Sequence, residues 1–163
     1  MYIGIDISFA KNIAIAWTYD GEEIFFDSIK FEKSELDKAT RDFHKMAKKV
    51  YKYLVKTIQI ANNDDTHIGI EGQFFSVNPA MVMGLIEIRS LVQGMILAKC
   101  SKANQYTVDP RKWQAKILHV SRMKSKEIKE ISKKEAALIT KKNPTEDESD
   151  AIHILRYIME ESK

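Results

Sequence analysis

Apolar and polar positions alternate in strand rhythm from the first residues. "YIGIDIS" (2–8) and "NIAIAWTYD" (12–20) are rich in β-branched and aromatic residues and are separated by a short polar link. Asp20-Gly21 is a hairpin signal, and "EEIFFDSIKF" (22–31) follows it. The pattern predicts three antiparallel strands. At Ser34 and Asp37, which resemble a capping box, the period lengthens to that of a helix. Leu36, Phe43, Ala47, Val50, Tyr51, Leu54 and Ile58 then recur at helical spacing as far as about Ala61.

"NNDD" breaks that helix, and "THIGIEG" (66–72) predicts a fourth strand. From Pro79 to about Cys100 the spacing predicts a helix apolar on nearly every side, with Met81, Met83, Leu85, Ile86, Ile88, Leu91, Val92, Met95, Ile96 and Leu97. "QYTVD" (105–109) predicts a fifth strand ended by Pro110, and two helices close the chain near 125–142 and 146–161. The order βββαβαβα predicts an α/β fold, a mixed five-stranded sheet with helices on its faces. With no internal repeat or low-complexity linker, one domain is expected over residues 1–163. A helix apolar all round is either enclosed or buries one side against a partner. A sheet covers one side of it, so a second subunit is expected on the other, making 79–100 a homodimer seam.

Composition narrows the class. In 163 residues, 44% are apolar and 30% charged, an ordinary soluble globular balance with material for a real core. No run of 18 apolar residues is present, so no membrane span is expected. "MYIGID" lacks the basic region of a secretory signal. A single cysteine, Cys100, permits no internal disulfide and suits a reducing, cytoplasmic compartment; at a helix end it reads as a buried small hydrophobe. His44, His67, His119 and His153 read as surface residues, although His153 follows Asp150 by three positions.

The net charge is only +3, but it is unevenly spread. Arg111, Lys112, Lys116, Arg122, Lys124, Lys126, Lys129, Lys133, Lys134, Lys141 and Lys142 are opposed only by Glu127, Glu130 and Glu135. Such a stripe is either a solvated helix face or a surface that neutralises the phosphates of a polyanion.

The acids decide between them. "NPTEDESDAIHILRYIM" (143–159) crowds four carboxylates just before a helix turns apolar. Acids near a helix N-terminus are favoured by roughly 0.3–1 kcal/mol each. That accounts for their presence, not their direction. Projected at about 100° per residue, Asp147 falls on the apolar line of Ala151, Ile154 and Ile158, with Asp150 beside it. Glu146 and Glu148 fall to either side, and Ser149 lies opposite. Two aspartates therefore face the core, where like charges at i, i+3 repel unless a cation lies between them. Asp6 sits inside the apolar first strand, where aspartate is disfavoured, and Glu71 ends the fourth. Adjacency of strands one and four brings them together, and the closing helix can lay Asp147 and Asp150 over the same spot. Four such acids, with no lysine or arginine between them, cannot all stay ionised in a dry site unless divalent metal neutralises them. Oxygen-only ligands select hard cations, Mg²⁺ or Mn²⁺, and a pair of such ions is suited to phosphodiester hydrolysis.

"GID" on strand one, "IEGQFF" on strand four and "DESDAIHI" at the last helix resemble the RuvC-type Holliday junction resolvases of the ribonuclease H-like superfamily, over essentially the whole chain. The resemblance implies a ribonuclease H-like fold and a Mg²⁺-dependent endodeoxyribonuclease that resolves four-way and other branched DNA junctions by paired cleavage as a homodimer. It implies that Asp6, Glu71, Asp147 and Asp150 are the catalytic, metal-binding carboxylates. Phe74 matches an aromatic that stacks on junction bases, and Lys126, in "SKE", matches a DNA-contacting lysine beside Lys124. Two departures stand out. The family's "DPG" after the first strand is here "DISFAKN", which offers Lys11 instead. "DPRKWQAK" (109–116) is similar to its basic "PRxVK" stretch, but Gln114 occupies the lysine slot, leaving Arg111, Lys112 and Lys116 as candidates. Both are reminiscent of phage-like or viral members.

Alternatives use the same residues differently. A hybrid-RNA or flap nuclease of the same superfamily needs the four acids but no apolar dimer seam. A silent DNA-binding module needs the lysines but not the acids. An actin-like nucleotide-binding domain needs two lobes and a second glycine-rich loop, which six glycines in this length do not provide.

Overall fold

The computed structural model describes residues 1–8, 12–32, 43–58, 64–72 and 79–162. Strands β1 (Tyr2–Ile7), β2 (Asn12–Thr18) and β3 (Phe25–Lys30) form an antiparallel meander. They are followed by α1 (Phe43–Ile58), β4 (His67–Glu71), α2 (Pro79–Lys99), β5 (Asn104–Val108), α3 (Pro110–Ile117), α4 (Ser125–Thr140) and α5 (Glu146–Glu161). The sheet order is β3-β2-β1-β4-β5, with β4 parallel to both neighbours. This is the mixed α/β sheet that the hydrophobic pattern predicts. The proposed helix start at Ser34 and Asp37 lies outside the described residues.

Alternation along β1 assigns its two faces. Ile3, Ile5 and Ile7 point to one, where Met46, Val50 and Leu54 of α1 and Ile88, Val92 and Ile96 of α2 close a core. Each such isoleucine, removed from water, contributes on the order of 2–3 kcal/mol. Gly4 and Asp6 point to the other face, under α5.

The approach of α5 is set by two glycines. Gly4 and Gly69 are registered partners on β1 and β4. A Cβ on Gly4 would lie 2.3 Å from the Ala151 carbonyl oxygen, and one on Gly69 2.7 Å from Ile158 Cγ2. The missing side chains leave a groove in which α5 lies close against the sheet. Its N-terminus comes to rest where β1 and β4 end.

Three expectations need correction. A short helix, α3, follows β5 where the pattern suggested only a break. Asp109 caps it, accepting from Arg111 N at 2.8 Å, and Pro110 occupies its first turn. Ser149 and His153 are fully buried rather than solvent-facing, because α5 is enclosed by the sheet on one side and by α3 and α4 on the other. One apolar stripe understates the burial of a helix covered all round. On α2 the reverse holds for the described side chains: Ile88, Val92, Ile96 and Cys100 are buried, while Leu97 is 59% exposed and Ile86 also faces outward. Among the described residues, no helix is long and apolar enough to cross a membrane.

Candidate active site

Asp6 lies on the central strand and is 4% exposed. The pairing Ile5–Ile70 of parallel strands β1 and β4 carries on to set Asp6 beside Glu71. The two carboxyl groups come close enough that Glu71 helps push the Asp6 pKa upward, after burial. From α5, Asp147 and Asp150 come close enough that both push the Asp6 pKa upward. The four acids that the sequence singled out therefore share one location.

Thr145, the N-cap of α5, explains why the inner acids are spare. Its hydroxyl accepts from Glu148 N at 3.3 Å, and Glu148 Oε2 accepts from Thr145 N at 2.7 Å. Glu148 also accepts from Ser28 Oγ at 2.7 Å. The capping is complete without Asp147 or Asp150.

Three of the four acids are each held by one neutral donor from a different element. Asn12, at the start of β2, donates its amide nitrogen to Asp147 Oδ2. Trp113, on α3, donates Nε1 to Glu71 Oε1 at 3.3 Å. Ser132, on α4, donates Oγ to Asp150 Oδ1 at 2.8 Å. Behind them, Trp113 stacks on His153 with ring centroids 5.7 Å apart. His153 Nδ1 faces the Arg156 guanidinium at 3.2 Å, which can only donate. Nε2 therefore carries the hydrogen and donates to the Ser132 carbonyl at 2.9 Å. Burial, with that guanidinium beside it, pushes the His153 pKa down to about 4, so the ring is neutral at pH 7.

Burial, then the Glu71 carboxylate, raises the Asp6 pKa well above the carboxylate range. Glu71 is raised by burial against the hydrogen bonds that favour its ionised form. Asp150 is raised to about 7, by burial first, despite the Ser132 hydroxyl. The helix N-terminus, which favours acids by up to about 1 kcal/mol, does not offset this. Two cations stand at the flanks of the acids. Arg89 of α2 donates to the Glu71 carbonyl oxygen and, at 3.3 Å, to Thr107 Oγ1, and Lys129 pairs with Glu146 beside Asp147. Asp6, Glu71 and Asp150 nevertheless stay raised.

Whether this donor set fits divalent cations can be tested on its atoms. Among the described residues, no three His, Cys, Asp or Glu side chains already stand in ion-holding geometry. The chemistry nevertheless suits a hard cation: all-oxygen donors, an Asp6 carboxyl raised by burial and then by its acidic neighbours, and one buried oxygen, Asn12 Oδ1, with no hydrogen-bond partner. The residues fit.

The other predicted contacts fall unevenly. Lys11 and Phe74 lie outside the described residues. Arg111, Lys112, Lys124 and Lys126 are exposed on α3 and the start of α4. Lys116 is exposed too, but it is paired with Glu161 and Glu160 at the far end of α5. Sequence reasoning missed Asn12, Trp113 and Ser132. Only the Asp109-Pro110 helix start gave a signal for one of them, because it fixes the face that Trp113 presents.

No protein-family model and no curated protein sequence matches the chain. Solved structures do match. A Thermus thermophilus RuvC in complex with Holliday junction substrate aligns with TM-score 0.65 at 12% identity, over 94% of this chain and 89% of that one. Another Thermus thermophilus RuvC structure gives 0.63 at 12% identity with the same coverage. The yeast mitochondrial Holliday junction resolvase Ydc2 gives 0.54 at 13% identity, over 94% of this chain and 75% of that one. The chain shares the fold of these structures.

Proposed function

We propose that this chain is a metal-dependent endonuclease that resolves four-way DNA junctions. The observation that carries the reading is the convergence of Asp6, Glu71, Asp147 and Asp150 at the ends of β1 and β4, beneath the N-terminus of α5. It occurs in a fold shared with a RuvC bound to a Holliday junction substrate. The four carboxylates would hold Mg²⁺ or Mn²⁺, two ions in each site. Bound there, divalent ions supply Lewis acidity toward a phosphodiester and lower the pKa of water.

The chain's own residues do the rest. Asn12, Trp113 and Ser132 each orient one of three carboxylates, as partners of metal ligands do. The neutral His153 ring keeps Ser132 and Trp113 in place without adding charge. The exposed cations of α3 and α4 supply phosphate attraction, which sets affinity and falls with salt. Phe74 would stack on unpaired bases at the branch. The outward Ile86 and Leu97 of α2 support a two-fold dimer through residues 79–100. Two-fold symmetry in the enzyme matches that of a four-way junction and yields paired nicks.

The test is cleavage of a synthetic four-way junction with Mg²⁺ present or chelated. Paired nicks in Mg²⁺, none with chelator, and loss of cutting but not of junction binding in Asp6→Asn are expected. Preferential cutting of RNA–DNA hybrids by a monomer would overturn the junction reading.

A further inference from the structure

Asn12 opens β2 on the face that looks toward α5. Asp6 pairs with Ala14, and Asn12 lies two residues before Ala14, so alternation places it on the same side of the sheet as Asp6. Its amide nitrogen donates to Asp147 Oδ2. A carboxylate oxygen only accepts, so the nitrogen end of the amide must face Asp147 and the oxygen must be the other end. That oxygen, Oδ1, is fully buried and has no hydrogen-bond partner. A buried acceptor among carboxylates is an anomaly, since nearly all buried polar atoms are satisfied. Its partner Asp147 is itself an oxygen donor, and Asp6 stands on the same face of the sheet. What satisfies an oxygen in such company is a cation.

We propose that Asn12 is a fifth oxygen ligand of the metal site, its amide oxygen joining Asp147 on the same divalent ion. This rests on the metal-dependent reading of the four carboxylates. The choice of an amide has a charge rationale. Four carboxylates balance two divalent ions, and amide oxygens are ordinary ligands for hard cations that add no further negative charge. The amide also acts at both ends: its nitrogen orients Asp147 while its oxygen supplies a ligand. The segment before it, "DISFAKN", is where the chain departs from the "DPG" of the resolvases it resembles. The departure thus ends on a residue whose side chain reaches the acids.

The experiment is Mn²⁺ binding to the full chain without DNA, followed by the electron paramagnetic signal of free Mn²⁺, with thermal shift on added Mn²⁺ as a second readout. Asn12→Ala removes both ends of the amide and is expected to weaken binding by about tenfold, the lower end of what loss of a partner to a metal ligand costs. Asn12→Asp keeps the oxygen but not the donor to Asp147, and is expected to bind Mn²⁺ at least as tightly as the unaltered chain. Asp6→Asn is expected to abolish tight binding. Equal weakening in Asn12→Ala and Asn12→Asp would reduce Asn12 to a donor for Asp147 and overturn the ligand assignment. Unchanged affinity in Asn12→Ala would overturn it as well. Unchanged affinity in Asp6→Asn would instead overturn the metal reading of the whole site.

Discussion

Ser132 donates its hydroxyl to Asp150 Oδ1 at 2.8 Å, tying the lysine-rich helix α4 to an inner carboxylate of α5. The same residue's carbonyl accepts from His153, so Ser132→Ala removes the hydroxyl while keeping the backbone contact that seats α4. The expected result is a protein that folds and binds junctions normally but needs about tenfold more Mg²⁺ for half-maximal cutting. A titration of cleavage rate against Mg²⁺ measures it. An unchanged midpoint with lower thermal stability would make Ser132 a packing residue only.

Stability of the metal-free protein depends on pH with a definite sign. Asp6 and Asp150 have folded pKa values above their unfolded ones, Asp150 at about 7 against 3.8. Between those values the folded state binds more protons than the unfolded one, so stability falls as pH rises through the window. His153 acts oppositely: held at about 4 against 6.5, it favours folding increasingly as pH rises through that interval. The two effects compete below about pH 6.5, and above it the acids act alone. In chelator, the melting temperature should therefore decline from pH 6.5 to 8, and millimolar Mg²⁺ should remove the decline. A melting temperature that climbs across that range in chelator would refute the assignment of raised acids.

The paired glycines should respond differently to the same methyl group. On Gly4 the added Cβ meets backbone, Ala151 O at 2.3 Å and Leu155 N at 2.4 Å, so α5 itself must move. On Gly69 it meets methyl ends of Ile158 and Ile154 at 2.7 and 3.1 Å, which rotamer changes can relieve. Gly4→Ala is expected to cost about 3 kcal/mol, the upper part of the usual overpacking range, and Gly69→Ala about 1 kcal/mol. Urea unfolding of both variants gives the comparison. Because α5 carries Asp147 and Asp150, Gly4→Ala should also lose cutting in conditions where it remains folded.

The strands, the long helices and the carboxylate set were legible because they are written in local periodicity. Alternation fixed the faces of β1, and a helical projection turned Asp147 and Asp150 inward. The donors were not legible. Asn12 is 135 residues from Asp147, Trp113 42 from Glu71 and Ser132 18 from Asp150. No periodicity reports which distant amide, indole or hydroxyl a fold brings to an acid. His153 and Ser149 were misjudged for a related reason: a projection finds the most apolar side of a helix, but α5 is covered by layers on every side. Arg89, from α2, escaped notice in the same way.

Not every lysine of the basic stripe should matter equally for DNA. Lys126 is exposed in the first turn of α4. It shares a helix face, at i, i+3, with Lys129, which pairs with Glu146 beside the inner acids. Lys116 is held by Glu161 and Glu160 at the other end of α5. That end is about 21 Å along the helix axis from Asp147 at 1.5 Å per residue. A lysine already paired with two carboxylates releases few counterions when DNA arrives. Lys126→Ala should therefore weaken junction binding and reduce the slope of log K against log salt by about 1, while Lys116→Ala leaves the slope unchanged. Binding isotherms at several salt concentrations, with Ca²⁺ in place of Mg²⁺ to suppress cutting, read both quantities. Equal losses from the two substitutions would mean that junction arms extend along the whole of α5 and that the Lys116 ion pairs open to receive them.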